Sequence, residues 1–302
     1  SLSANTVSNI GGNVVTSGDS AAAVVLQSIG GGGGYSGGSK GNGRLGASFS
    51  SGDLSAAAIT LTLDGNLQTS ANNAPVLLAQ SIGGGGGRIS NLGGNASLGL
   101  SNDAATARVN AAAGAVSISI DSSKEGLVSL GTQSPTLLAQ SIGGGGGVAS
   151  NVSGNALLQG HGTGTLVGGA VTVNTQSMLR TGGDSSAALV AQSIGGGGGM
   201  VNVVSGQSLT LGTNSSGDAT AAAVSVTTNK QVSTQGDLAA AIVAQSIGGG
   251  GGVAYTDQGS VTLGGDLDGL AGSAAVVVET SNAAKVLTRG DTAAGIVAQS
   301  IG

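Results

Sequence analysis

The chain divides into short runs in which apolar and polar residues alternate. In "ITLTL" (Ile59 to Leu63), "VSISI" (Val116 to Ile120), "VTVN" (Val171 to Asn174) and "VSVT" (Val224 to Thr227), aliphatic side chains share one face and polar ones the other. Period two with one apolar face predicts a half-buried strand. Alternation also precedes it in "SLTLG" (Ser208 to Gly212), with weaker counterparts in "ASLGL" (Ala96 to Leu100) and "SVTLG" (Ser260 to Gly264). A third segment, "LAAAIVAQSIG" (Leu238 to Gly248), is apolar or small on both faces, which predicts a strand buried on both sides. A helix competes here because Ala is a strong helix former. Gly236 ahead of the segment, the glycines after it and its β-branched Ile-Val centre favour the strand.

The third segment ends each time in Gln-Ser-Ile-Gly. The motif serines are Ser28, Ser81, Ser141, Ser193, Ser246 and Ser300, spaced 53, 60, 52, 53 and 54 residues apart. A period near 50 marks a repeat architecture, in which no unit buries its apolar face alone. Residues 1–302 therefore read as a single array whose motifs end at 30, 83, 143, 195, 248 and 302. The array opens part-way through a unit and stops where another glycine tract is due, so it reads as a slice of a longer chain.

Each repeat is expected to supply three strands and a glycine tract. That fits either about three small coils of a parallel β-helix or one large three-sided coil. Identical residues recur at identical positions when they touch their own copies, roughly 4.8 Å apart, and this favours the large coil. The expected fold is all-β, a repetitive parallel β-solenoid with repeats of about 53 residues. Gln27, Gln80, Gln140, Gln192, Gln245 and Gln299 should then form one amide ladder, with the motif serines stacked beside it. A buried amide without partners costs about 1–3 kcal/mol, and the ladder would supply them. The glycine tracts fit either a side-chain-free layer that another layer approaches closely, extended or polyglycine II-like, or a loose linker.

Turn chemistry agrees with this division. Pro75 and Pro135 stand six residues before the motif serine, where other units have Ala22, Ala187, Ala240 and Ala294. Proline is tolerated at a strand's first residue, so the motif strand should begin near that position. Gly18-Asp19, Gly183-Asp184, Gly236-Asp237 and Gly290-Asp291 lie nine or ten residues before the serine. The glycine is expected to allow positive φ and the aspartate to bond nearby backbone N–H groups. Calcium binding is the rival reading of Asp19, Asp184, Asp237 and Asp291. Two units carry Ala71-Asn72 and Gly131-Thr132 instead, which argues against a required carboxylate.

Composition narrows the class. Aromatics are 1% of residues while 39% are hydrophobic, so the core is thin and built from small side chains. Only 8% are charged and mean hydropathy is +0.29, which disfavours disorder. Two prolines and no Gly-X-Y period exclude collagen. No run reaches 18 apolar residues and no basic-then-apolar leader opens the sequence, so no membrane span is expected in this segment. With no cysteine, neither a disulfide scaffold nor a cysteine zinc site is available. The net charge of -5 is spread thinly and gives no footprint for nucleic acid.

"GDSAAAVVLQSIGGGGG" (Gly18 to Gly34), "GDLAAAIVAQSIGGGGG" (Gly236 to Gly252) and "GDTAAGIVAQSIG" (Gly290 to Gly302) carry a family likeness. They resemble the glycine-rich repeats in passenger regions of large bacterial autotransporter-type surface proteins. The resemblance implies a secreted or cell-surface β-helical protein of adhesin type. Units two and three depart from the pattern where Pro75 and Pro135 appear.

No catalytic constellation is legible. His161, in "GHGTGT", is the only histidine and reads as a surface loop residue. The glycine tracts lack the Gly-Lys-Ser/Thr ending of a phosphate loop. "GGDLDG" (Gly264 to Gly269), with Asp266 and Asp268, occurs once and reads as a turn rather than a calcium site. Lys124-Glu125 reads as a solvated loop tip, and the extra residues between Leu92 and Ala113 as a peripheral loop. The expectation is a non-enzymatic structural or adhesive solenoid without cofactor or metal. It should be extracellular or on the bacterial surface, self-associating laterally or end to end, and part of a filament or stalk. A carbohydrate-active β-helix enzyme and an ice-binding solenoid are the alternatives.

Overall fold

Residue by residue, each repeat pairs with the equivalent residues of the next. The computed structural model describes residues 6–46, 52–100, 108–121, 126–203, 208–215, 217–256, 259–264 and 268–302. Among these the chain is all strand, and every ladder between repeats is parallel. Leu137 to Ile142 pair with Leu77 to Ile82 on one side and Leu189 to Ile194 on the other, motif residue to motif residue. One repeat is therefore one coil of a parallel β-solenoid.

The coil has more strands than the sequence pattern shows. Starting at Leu77, it runs through a motif strand (Leu77–Ile82), a cover strand (Gly87–Leu92), a rim strand (Ala96–Leu98), a waist strand (Val109–Ala112), an alternating strand (Val116–Ile120) and a corner strand (Leu127–Ser129). Each strand type builds its own sheet along the axis: the motif, alternating and corner sheets have six strands, and the other three have five. The motif, rim and alternating strands are the three that alternation or apolar length predicts. The corner and waist strands, at three and four residues in this coil, are too short to register a period. The cover strand hides because it is buried on both faces, and "GRISNL" shows no clean alternation.

The cross-section has two main cores and smaller apolar clusters beside them rather than three sides around one. Ile59, Leu61 and Leu63 of the alternating sheet, Leu67 of the corner sheet, and Leu77 and Ala79 of the motif sheet fill the first. Ile89 and Leu92 of the cover sheet meet Ala96 and Leu98 of the rim sheet in the second. The motif strand lines the first core and the cover strand the second, and all six residues of the motif strand are buried in each of the four inner coils. The motif strand's outer row, Leu78, Leu138, Val190 and Val243, packs with Val148 and Met200 of the cover sheet. The second face is thus covered by the strand that follows the glycines.

The glycine tract is the turn that makes this doubling possible. Gly83 to Gly87 are buried and bonded into the ladders, with Gly83 N–H donating to Ile142 O and Gly84 N–H to Gly143 O at 2.9 and 2.7 Å. The loose-linker reading is thereby overturned. A Cβ on Gly83 would lie 2.7 Å from Ala112 O, one on Gly84 2.8 Å from Leu100 Cδ1, and one on Gly85 2.7 Å from the Gly99 carbonyl carbon. Gly86 and Gly87 have φ of 112° and 120°, which side chains rarely adopt. Bare backbone is needed at Gly83 to Gly85 because they pass close to the waist and rim strands, and at Gly86 and Gly87 because a Cβ would meet Gly146 O and Gly34 O of the neighbouring coils.

The proline expectation shifts by two residues. Pro75 and Pro135 are buried, but the motif strands begin at Leu77 and Leu137. The carbonyls of Pro75 and Pro135 still accept from Ala23 and Val76 N–H of the neighbouring coils, so the column needs an acceptor. Lys124-Glu125, Asp266 and residues 101–107 of the Leu92 to Ala113 insertion lie outside the described residues.

Candidate functional site

The recurring Gln-Ser-Ile-Gly sits between the first core and the cover sheet, and each of its residues makes a different contact. The glutamine points from the motif strand toward the start of the cover strand. Gln27 Nε2 donates to Gln80 Oε1 at 2.8 Å, Gln80 to Gln140 at 2.7 Å, and Gln140 to Gln192, Gln192 to Gln245 and Gln245 to Gln299 at 2.6 Å. The structure brings all six into one column with a single donor direction. Gly34, with φ 123°, lies beside the first of these amides, and a Cβ there would stand 3.3 Å from Ile29 Cδ1.

The serine points the other way, into the first core. Ser81 Oγ donates to Ala57 O at 2.9 Å and accepts from Gly114 N–H at 2.8 Å. Ser141 repeats this with Gly114 O and Gly169 N–H at 2.8 and 2.7 Å, and Ser246 with Ala222 O and Ala274 N–H at 3.0 and 2.9 Å. Ser28 accepts from Ala57 N–H, Ser193 from Ala222 N–H, and Ser300 donates to Ala274 O. The hydroxyls of Ser81, Ser141 and Ser246 therefore pin the motif strand to the turns ahead of two successive alternating strands. That cross-link closes the first core, and a stacking argument alone does not reveal it.

The isoleucine and the glycines interlock between coils. Ile82, Ile142 and Ile194 form a continuous apolar row. A Cβ on Gly86 would stand 3.1 Å from Ile142 Cγ2, and one on Gly146 3.2 Å from Ile194 Cγ2. The tract of one coil thus receives the isoleucine of the next.

The turn aspartates are exposed, and their hydrogen bonds also run along the axis. Asp19 Oδ1 accepts from Asn72 N–H at 3.2 Å, Asp184 Oδ1 from Asp237 N–H at 2.9 Å, and Asp237 Oδ1 from Asp291 N–H at 2.7 Å. Asn72 Oδ1 serves Thr132 N–H at 3.0 Å in the same way, so an amide oxygen replaces the carboxylate without loss. The expected role of the preceding glycine needs correction. Positive φ falls on the residue after the aspartate, at Ser20, Asn73, Gln133, Ser185, Leu238 and Thr292, with φ between 52° and 59°. Gly183, Gly236 and Gly290 are there because a Cβ would collide with the backbone of the preceding coil.

One charged group is buried where the pattern asks for an apolar residue. Arg88 occupies the position held by Val148 and Met200 in the next two coils and is fully buried. Its Nη2 donates to Gln133 O at 2.8 Å, and its Nη1 to Asn73 O and Ser90 Oγ at 3.2 and 3.3 Å. The guanidinium carbon lies 5.5 Å from the centre of the Tyr35 ring. Burial pulls the Arg88 pKa below its ordinary value, and Tyr35 opposes that shift. Sequence reading missed Arg88 because a lone arginine in a polar-looking segment passes for a surface residue.

The remaining candidates do not converge. His161 lies half-buried on a two-residue strand beside Gln159, and Asp268 is exposed. Among the described residues no group of three or more metal-ligating side chains comes together, and no helix is long and apolar enough to cross a membrane. Comparison with models of known protein families, with curated proteins and with solved structures gave no match.

Proposed function

We propose that this chain is a structural segment of a bacterial cell-surface or secreted protein, a rigid rod that holds other parts of a filament or stalk at a distance. The observation that carries the reading is the unbroken column from Gln27 to Gln299. Its contacts serve coil stacking alone, so the motif has been repeated for assembly. Six rungs at about 4.8 Å extend the chain by roughly 24 Å between first and last motif strands, and each further repeat adds one rung. The likeness of "GDLAAAIVAQSIGGGGG" to autotransporter-type passenger repeats supports the location and the self-associating, adhesin-type class.

Electron microscopy and fibre diffraction test the reading. Elongated particles or filaments with a meridional reflection near 4.8 Å are expected. Compact monomers that hydrolyse polysaccharides, or that show thermal hysteresis, would overturn it.

A further inference from the structure

The outward face of the corner sheet carries a notch that the coil-stacking argument leaves unused. Along this face the stacked residues are Val128, Arg180, Ser233 and Leu287. Ser233 is the smallest of them, and the gap above it opens into a cleft of about 310 Å³. That volume is at the lower end of small-molecule clefts, which run from about 300 to 1,000 Å³. Arg180 and Arg289 reach it from rungs two apart, about 10 Å along the axis. Gln231, Gln235 and Thr234 line it with Ser233, and Val128, Met178 and Leu287 form its apolar flank.

The charge of this cleft opposes that of the chain. No acidic residue lines it, and exposed Lys230 and Lys285 stand in the turns that lead into its strands. Among the described residues the guanidinium groups of Arg180 and Arg289 make no hydrogen bond or ion pair. Asp184 and Asp237, in the turn that follows, already accept from backbone N–H groups of the next coil. Two uncommitted guanidiniums present planar donor forks of the kind that match oxyanions.

We propose that this notch binds an acidic saccharide, with its carboxylate or sulfate held between Arg180 and Arg289. The hydroxyls meet Gln231, Ser233 and Gln235, and the sugar's C–H face lies against Leu287 and Met178. The apolar flank favours a sugar over a bare anion, since a free phosphate would leave it unused. The proposal names a ligand class for the surface-protein reading and rests on it only for its biological setting.

The experiment is calorimetry on the whole chain with four probes: a sulfated hexasaccharide, an oligogalacturonate, a neutral oligosaccharide of equal length, and inorganic phosphate. At least one acidic oligosaccharide should bind, with affinity that falls as salt rises. The R180Q/R289Q pair should weaken it by about tenfold or more. Ser233→Leu fills the notch with a side chain already present one rung away at Leu287, and it should abolish binding while circular dichroism stays unchanged. The two acidic probes separate sulfate from carboxylate recognition. Equal binding of the neutral sugar or of phosphate, no binding of either acidic probe, or unchanged affinity in both variants would overturn the proposal. The rod reading would survive any of these, because filament formation is scored separately.

Discussion

Gln192 Nε2 and Gln245 Oε1 lie 2.6 Å apart although 53 residues separate them in the chain. Both are fully buried, and each amide also bonds to the glutamine on its other side. The pair shows how this fold joins its repeats: the buried amides bond from coil to coil.

Replacing Gln192 by Leu orphans Gln140 Nε2 and Gln245 Oε1 together. The expected loss is about 2–5 kcal/mol, read from urea unfolding. Extending the change to Gln245 still leaves two orphans, now Gln140 Nε2 and Gln299 Oε1. The second substitution should therefore add much less than the first, and additive losses would refute the ladder account.

Gly146 has φ 104°, and a Cβ there would meet Gly198 O and Ile194 Cγ2. Gly146→Ala should cost about 3 kcal/mol or more in a melting or denaturant experiment. Gly11, exposed with nothing within 4 Å of a built Cβ, is the control. There the alanine should be neutral, or stabilising by about 0.4–1 kcal/mol through the unfolded state.

Ser141→Ala removes a hydroxyl that bridges Gly114 O and Gly169 N–H. The expected loss is about 1–3 kcal/mol. Hydrogen exchange should localise it, with faster exchange at the Gly169 amide and little change in the cover sheet around Val148.

Arg88 is a buried cation in an otherwise apolar column, and burial of this kind favours a neutral replacement. Arg88→Met, which copies Met200, should unfold within about 1 kcal/mol of the parent chain or above it. Arg88→Ala leaves a cavity and should lose about 3 kcal/mol or more. Equal losses in the two variants would mean that the bonds to Asn73 O and Gln133 O matter more than desolvation.

Burial pushes the Tyr255 phenol above its ordinary pKa. The fold therefore holds this proton more tightly than the unfolded chain does, and stability should fall as pH rises past about 10, where the unfolded chain first ionises. Tyr255→Phe should remove that part of the alkaline loss, measured by denaturation between pH 9 and 11 alongside absorbance of the phenolate.

Several features were legible before any coordinates because they are periodic. The 53-residue spacing implied coils, and the two-faced apolarity of "IVAQSI" implied burial on both sides. The invariance of Gln80, Gln140 and Gln192 implied contact between copies. Besides the cover, waist and corner strands, three things were not legible. The direction of the serine hydroxyls depends on where the turns at Ala57 and Gly114 arrive, which no local pattern encodes. The positive φ at Leu238 and Thr292 runs against residue preference and is imposed by stacking on an identical turn. Arg88 looks exposed because its segment, "GRISNL", is half polar, yet the cover strand is enclosed on both faces.

What the sequence determined by itself is the rung: which residues recur, which faces are apolar, and that like lies upon like. This follows from side-chain period and chain repetition, both of which can be counted along one dimension. Only the tertiary structure decided how the rung closes. The buried glycines fold the chain back, so that the cover strand packs on the outer face of the motif strand and a second core forms beyond it. The physical reason is that a glycine tract has no side chains to carry a pattern; its fit between waist and rim strands exists only once those strands are in place.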